Sequence, residues 1–279
     1  MAQDNSAIPL YGGSQSRITT SSLKNAKPSN EKWPMLTCYD SLTASLFDEL
    51  GVPVLLVGDS AAMVFLGYDS TLPITLDELI PLVRAVSRST SRALVVADLP
   101  FGSYQACVAD AVRASIRLVK EGGAQAVKIE GGTRVTETVK HLVEAGIPVM
   151  GHLGLTPQSV NVFGGYKVQG RGDAAAELVR EAKELELAGC FSIVLEAMPA
   201  DTAKAITEAV SIPTIGIGAG IDVDAQVLVW QDLAGLTKSP LPRFVKRYAD
   251  MRTTLTQAVN QFAQEVKNKD FPSTEHTYQ

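Results

Sequence analysis

Cysteine, histidine and aromatic residues are all scarce in this chain, which has three Cys, three His and 6% Phe, Trp and Tyr in 279 residues. Cys38, Cys107 and Cys190 lie far apart and form no C-x-x-C pair. That spacing excludes a thioredoxin-type couple and a common zinc motif, and it suits a reducing cytoplasm. No run reaches the ~20 consecutive apolar residues of a membrane span. The opening MAQDNSAIPLYGGSQS has an acidic residue but neither a basic n-region nor an apolar core, so no presequence is expected. Excess charge of one sign is missing too: 25 basic against 30 acidic residues give a net charge of -5. Nucleic acid and anionic membranes are therefore poor partners, and small molecules become the default.

What the chain does have is core-building capacity, with 46% hydrophobic residues. A domain of this length buries roughly three quarters of its unfolded surface and folds without a disulfide or metal staple, so a metal here would serve chemistry. The Ser-, Asn- and Gly-rich residues 1–31 are expected as a flexible N-terminal arm, and 266–279 as a polar C-terminal tail. Between them, over 32–265, β-branched runs alternate with helical patterns. MLTCYD, VPVLLVGDS, ALVVADLP, AVKIEGG, IPVMGHLG, FSIVLEAM and IPTIGIGAG read as strands. An eighth is weakly marked near Leu233 to Leu236, and Arg243 to Asp250 could begin a closing helix. In the helical stretch DAAAELVREAKELELAG, Leu178, Val179, Ala182 and Leu185 keep helical spacing, and Gly189 stands where a glycine would end the helix. Repeated βα units of this number predict a single-domain α/β fold, the (β/α)8 TIM barrel, with an open doubly wound sheet as the alternative.

Polar residues gather where these strands end. Asp59, Asp98, Glu130, His152 and Glu196 each close a strand candidate, and the C-terminal ends of barrel strands form the active mouth. Lys128 and Glu130 share a strand face, so an inward Glu130 brings an inward lysine that needs an anionic partner. Individually such residues are helix caps or structural ion pairs as readily as site residues, but five strand ends together favour a site. Neighbouring strands stand about 4.8 Å apart, so Asp59 and Asp98 could grip one cation, with Glu130 joining directly or through water. An all-oxygen set selects a hard ion such as Mg2+ and fits zinc poorly. His152 is the strand-end histidine, whereas His141 falls inside a helical pattern and reads as surface or packing. Glu196, across the ring from the aspartates, could be a base held apart from the metal.

Two glycine-rich segments are less specific. GIGAG, Gly216 to Gly220, lacks the dinucleotide fingerprint and serves either a phosphate or a close backbone approach. FGGYKVQGRG lacks the Walker spacing; with Lys167 and then Arg171 it suits a lid or an anionic contact, or a solvated loop.

In LLVGDSAAMVFLGYDSTLPIT, VVADLPFGSY, AVKIEGG, GHLGLTPQSVNVFGGYKVQGRG and PTIGIGAG, from about Trp33 onward, the sequence resembles the ketopantoate hydroxymethyltransferases. The resemblance implies a TIM barrel assembled into homo-oligomers, often decamers. It also implies transfer of a hydroxymethyl group from 5,10-methylenetetrahydrofolate to 3-methyl-2-oxobutanoate, giving 2-dehydropantoate for pantothenate synthesis. Carried over by motif, Asp59 and Asp98 are Mg2+ ligands and Glu130 completes the metal site. Ser60 and Lys128 hold the 2-oxo acid, with Asp59 and Asp98 at the same substrate, His152 lines its site, and Glu196 accepts the proton. The chain departs from the family pattern at Ala225, within a segment that often reads DGQ, and at Gln231, often a histidine. A Mg2+-dependent lyase or mutase on the same fold is the rival, though its KKCGH signature is missing. A non-catalytic ligand-binding barrel is another, and the retained Glu196 speaks against it.

Overall fold

The computed structural model describes residues 9–13 and 16–278. Its strands are β1 (Trp33–Thr37), β2 (Val54–Val57), β3 (Leu94–Asp98), β4 (Ala126–Lys128), β5 (Val149–Gly154), β6 (Ser192–Glu196), β7 (Thr214–Ile217) and β8 (Ala225–Leu228). They run parallel in chain order, and β8 returns to β1, with Met35 opposite Val227, to close the barrel. Closure excludes the open sheet. The helices are α1 (Thr20–Ala26), α2 (Ser41–Glu49), α3 (Ala61–Val64), α4 (Leu76–Arg88), α5 (Val108–Arg117), α6 (Thr136–Glu144), α7 (Val160–Phe163), α8 (Ala174–Ala188), α9 (Ala200–Ala209), α10 (Trp230–Leu233) and α11 (Met251–Asn268). The chain divides into two compact units, one ending at Val229 and holding all eight strands, the other running from Trp230.

Local chemistry explains these elements. β2 and β3 are buried along their whole length, which is why VLLV and LVVAD read as unbroken runs rather than alternating ones. Helix α4 buries Leu79, Ile80, Val83 and Val86, one stripe at helical spacing. Its start is fixed by a reciprocal cap, in which the Glu78 N–H donates to Thr75 Oγ1 and the Thr75 N–H donates to Glu78 Oε2. Helix α8 buries Ala182 and Leu185 and stops at Gly189, whose φ of 106° an alanine would adopt only with strain.

Inside the barrel, Leu56, Val96, Ala126, Met150 and Val194 meet in one apolar cluster. The same cluster contains Leu10, Ile18, Leu23 and Ala26 with Trp33, the first residue of β1. Lys27, just after α1, donates to the carbonyls of Thr207 and Ile212 and pairs with Asp224 at 3.2 Å, all before the starts of β7 and β8. Helix α1 therefore stoppers the N-terminal end of the barrel. Within the stretch expected as an arm, a Thr19–Ser22 capping box starts α1 and Leu23 is fully buried. Residues 1–8, 14 and 15 of that arm lie outside the described residues.

Two further expectations change. The eighth strand is Ala225–Leu228, not 233–236. Its four residues carry Gln226 facing outward between buried Ala225 and Val227, too short and too polar a pattern to show as a run. The closing helix starts at Met251, where the Asp250 side chain accepts the Thr253 N–H at 3.2 Å; residues 243–250 form turns and bends. That helix crosses the expected start of the tail at 266 and ends at Asn268.

Candidate active site

The apolar interior continues upward into charge by simple alternation. Two residues beyond Val96 stands Asp98, beyond Ala126 stand Lys128 and Glu130, beyond Met150 stands His152, and beyond Val194 stands Glu196. Asp59 breaks that parity. The inward position after Leu56 is Gly58, and a Cβ there would lie 3.3 Å from Asp98 Oδ2 and 2.9 Å from Ser60 Oγ. Gly58 thus leaves a slot that the Asp98 carboxylate occupies, and the next N–H, that of Asp59, donates to Asp98 Oδ2 at 2.8 Å.

The expected residues form one network. Lys128 Nζ lies 2.9 Å from Asp98 Oδ1, 3.6 Å from Glu130 Oε1 and 3.2 Å from His152 Nδ1. His152 Nδ1 is 3.3 Å from Glu130 Oε1, and its Nε2 is 3.2 Å from Glu196 Oε2. Ser60 Oγ is 2.8 Å from the hydroxyl of buried Tyr39. Asp59, Asp98, Lys128, Glu130 and His152 are all buried, whereas the Glu196 side chain keeps 17% of its exposure.

Gln158 joins the ring at its centre. Its backbone N–H donates to Glu130 Oε2 at 3.0 Å, and its Nε2 donates to Asp59 Oδ2 at 2.8 Å and to the Leu99 carbonyl at 3.0 Å. Its Oε1 accepts from Tyr104 Oη at 2.8 Å and Gln105 Nε2 at 3.0 Å. Every hydrogen-bonding site of this amide is used, so its position is fixed. Gln158, Tyr104 and Tyr39 escape the sequence reading because they stand on loops and a one-turn helix without periodicity.

Three buried carboxylates face one ammonium and one imidazole, and the protonation equilibria register the imbalance. Burial, with Asp98 and Glu130 nearby, pushes the Asp59 carboxyl well above its ordinary value despite Lys128. Burial also raises Asp98, only partly offset by Lys128. Glu130 is held below the usual range because Lys128 and His152 outweigh its burial. Burial and Lys128 oppose charging of His152, but its contacts with Glu130 and Glu196 prevail and lift it to about 9. The imidazole thus lies between Glu130 and Glu196.

An added cation would relieve this excess. Asp98 Oδ1 and Glu130 Oε1 are sealed from solvent without an aligned hydrogen bond, despite their ionic neighbours. The donor set is all oxygen, so the aspartate pair suits a hard divalent ion. Among the described residues no three His, Cys, Asp or Glu side chains already form a metal cluster. The Gln158 amide holds Asp59 Oδ2 and the Lys128 ammonium holds Asp98 Oδ1.

Glu196 is positioned by backbone. The Leu155 N–H donates to its carbonyl at 2.9 Å, and Gly154, with φ of 92°, leaves room where a Cβ would come 2.2 Å from that oxygen. Ala197 follows at φ 47°, a left-handed turn that costs a non-glycine residue about 1 kcal/mol or more. Lys167 and Arg171 are exposed, outside the network. GIGAG serves close approach, since a Cβ on Gly220 would stand 2.6 Å from that of Ala200. His141 is exposed on α6, its Nδ1 2.9 Å from the Glu137 carbonyl.

The family model for ketopantoate hydroxymethyltransferase matches residues 17–274. The chain belongs to that family. It is 61% identical to the 3-methyl-2-oxobutanoate hydroxymethyltransferase of Thermobifida fusca (strain YX), over all of both chains. The enzyme of that name from Frankia alni is 56% identical, over 98% of this chain and 92% of its own. Among solved structures, a phosphonopyruvate hydrolase in complex with oxalate and Mg++ superposes with a TM-score of 0.60 at 14% identity, covering 93% of each chain. A 2,3-dimethylmalate lyase gives 0.58 at 15%, covering 92% of this chain and 91% of its own. At that identity the likeness shows the barrel alone. Family membership makes the chain an enzyme, and no helix among the described residues is long and apolar enough to cross a membrane.

Proposed function

We propose that the chain transfers a hydroxymethyl group from 5,10-methylenetetrahydrofolate to 3-methyl-2-oxobutanoate, giving 2-dehydropantoate in pantothenate biosynthesis. The observation that carries the mechanism is Glu196, a partly exposed carboxylate 3.2 Å from His152 Nε2, on the opposite side of the charge network from the aspartates. Support for the acceptor, 3-methyl-2-oxobutanoate, and for hydroxymethyl transfer comes from the names of the close relatives.

In this reading Lys128 is the point charge for the substrate carboxylate, with Ser60 and the Tyr39 hydroxyl beside it. Asp59 and Asp98 would hold Mg2+, and Glu130, already engaged by Gln158, His152 and Lys128, would complete that site through water. Bound there, the ion supplies Lewis-acid stabilisation of negative charge at the 2-oxo oxygen. Glu196 takes the C3 proton, and the His152 imidazolium keeps the carboxylate oriented before and after. C3 then bonds to the one-carbon unit; one water supplies the hydroxyl oxygen and tetrahydrofolate leaves.

The reaction takes place in the cytoplasm, where Cys38, Cys107 and Cys190 stay as the free thiols seen here. Assembly into a homo-oligomer, a decamer by family likeness, would have a surface to use: Leu42 and Leu46 on α2 and Leu50 just after it are exposed.

Proton NMR in D2O tests the base. The wild-type protein with Mg2+ exchanges the C3 hydrogen of 3-methyl-2-oxobutanoate, and Glu196→Gln, which keeps size and hydrogen bonding, slows exchange by about 10² to 10⁴ while still binding substrate. Near-normal exchange in that variant would hand the role to another group.

A further inference from the structure

We infer that the cavity between the ends of β4 and β5 and helix α8 seats the 2-amino-4-oxopyrimidine edge of the one-carbon donor, with Glu181 and Arg134 as its recognition pair. The inference rests on the folate-dependent transfer proposed above.

The cavity holds about 440 Å3, inside the range of roughly 300 to 1,000 Å3 for small-molecule sites. Its inner wall is His152 and Gly154, and His152 Nε2 touches Glu196 at 3.2 Å. A carbon carried by a ligand here therefore lies next to the residue that takes the C3 proton. The facing wall contains Glu181, Arg134 and two glycines.

Those glycines let the two charged side chains lie over consecutive residues of the same wall. A Cβ on Gly132 would fall 1.9 Å from Glu181 Oε1, and one on Gly131 would fall 2.7 Å from Arg134 Nε. Glu181 Oε1 accepts the Thr133 N–H at 3.2 Å, and Arg134 Nη2 donates to Ser159 Oγ at 2.9 Å. Neither is consumed by an ion pair among the described residues, whereas Arg180, also at the cavity, is bound to Glu177 and Glu184. Burial raises the pKa of Glu181 despite its one backbone donor, the signature of a carboxylate with fewer hydrogen bonds than its desolvation demands.

The chemistry of the expected ligand is the complement. A 2-amino-4-oxopyrimidine presents two neighbouring N–H donors beside a carbonyl acceptor. A carboxylate accepts both donors, and an adjacent guanidinium donates to the carbonyl. Among the described residues lining this cavity, Glu181 is a carboxylate and Arg134 a guanidinium that no ion pair engages.

The test uses the full chain with Mg2+ and 3-methyl-2-oxobutanoate present, and tetrahydrofolate as the probe in titration calorimetry. Glu181→Gln keeps the acceptor for Thr133 but cannot receive two donors, and should weaken tetrahydrofolate binding roughly tenfold to a hundredfold. Ala174→Phe, at an exposed position lining the same cavity, should do likewise by filling it. Both variants should keep 2-oxo acid binding and C3 exchange within about twofold of wild type, which also shows them folded. Tetrahydrofolate affinity unchanged in both variants overturns the site and leaves the proposed function standing. A wild-type protein that binds no tetrahydrofolate and forms no 2-dehydropantoate overturns the function and this site with it.

Discussion

Lys128 presents a buried ammonium to buried carboxylates, and its pKa is raised because Asp98, Glu130 and Asp59 outweigh the burial that opposes its charge. Removing one partner of such a set leaves uncompensated charge in low dielectric, which typically costs about 3–5 kcal/mol. Lys128→Met should therefore lose stability of that order in urea unfolding at neutral pH and also weaken binding of the 2-oxo acid by calorimetry. Unaltered stability would mean that the carboxylates do not depend on this charge. Most of these residues were legible in the sequence because alternation is rigid: Asp98, Lys128, His152 and Glu196 each extend an apolar row. Asp59 was legible only as a strand-end acid, since its place depends on the Gly58 slot, a three-dimensional relation between two strands. Gln158 was not legible at all; a glutamine after a proline on a one-turn helix has no pattern that separates it from a solvated loop.

Elements were read well where they are long and periodic and poorly where tertiary contacts define them. The stretches that became α2, α4, α6, α8 and α9 carry their own stripes, whereas β8 exists because β1 and β7 pair with it. Similarly α1 is a short helix in a polar segment, held by the barrel beneath it. Helix α2 shows how neighbouring units are tied. Its Asp48 carboxylate accepts the backbone N–H groups of Ser91, Arg92 and Ala93, at 2.8, 3.1 and 2.6 Å, just before β3. Burial alone would raise the Asp48 pKa, but those donors prevail and lower it. A depressed carboxylate pKa stabilises the fold above the unfolded-state value of about 3.9 and loses that contribution as pH falls through the folded-state value. Asp48→Asn should cost about 1–2 kcal/mol at pH 7, discounted for partial exposure. Thermal melts should show this gap closing towards pH 2; a gap constant across that window would rule out the charge as its source.

The whole barrel separates stability from chemistry along its axis. Burying Leu23 in the stoppered end contributes about 1.5–3 kcal/mol, and Leu23→Ala should cost about 2–5 kcal/mol once the cavity it leaves is included. At a temperature where the variant stays folded, its C3 exchange rate should match wild type, as measured by the same NMR assay. A slowed rate would show that the two ends communicate. The stopper has a kinetic meaning as well. Among the described residues α1 and the apolar interior close the N-terminal end, so Lys128 faces the end where the strands finish. For the proposed transfer this geometry implies an order: the reactant seated nearest Lys128 arrives first and departs last.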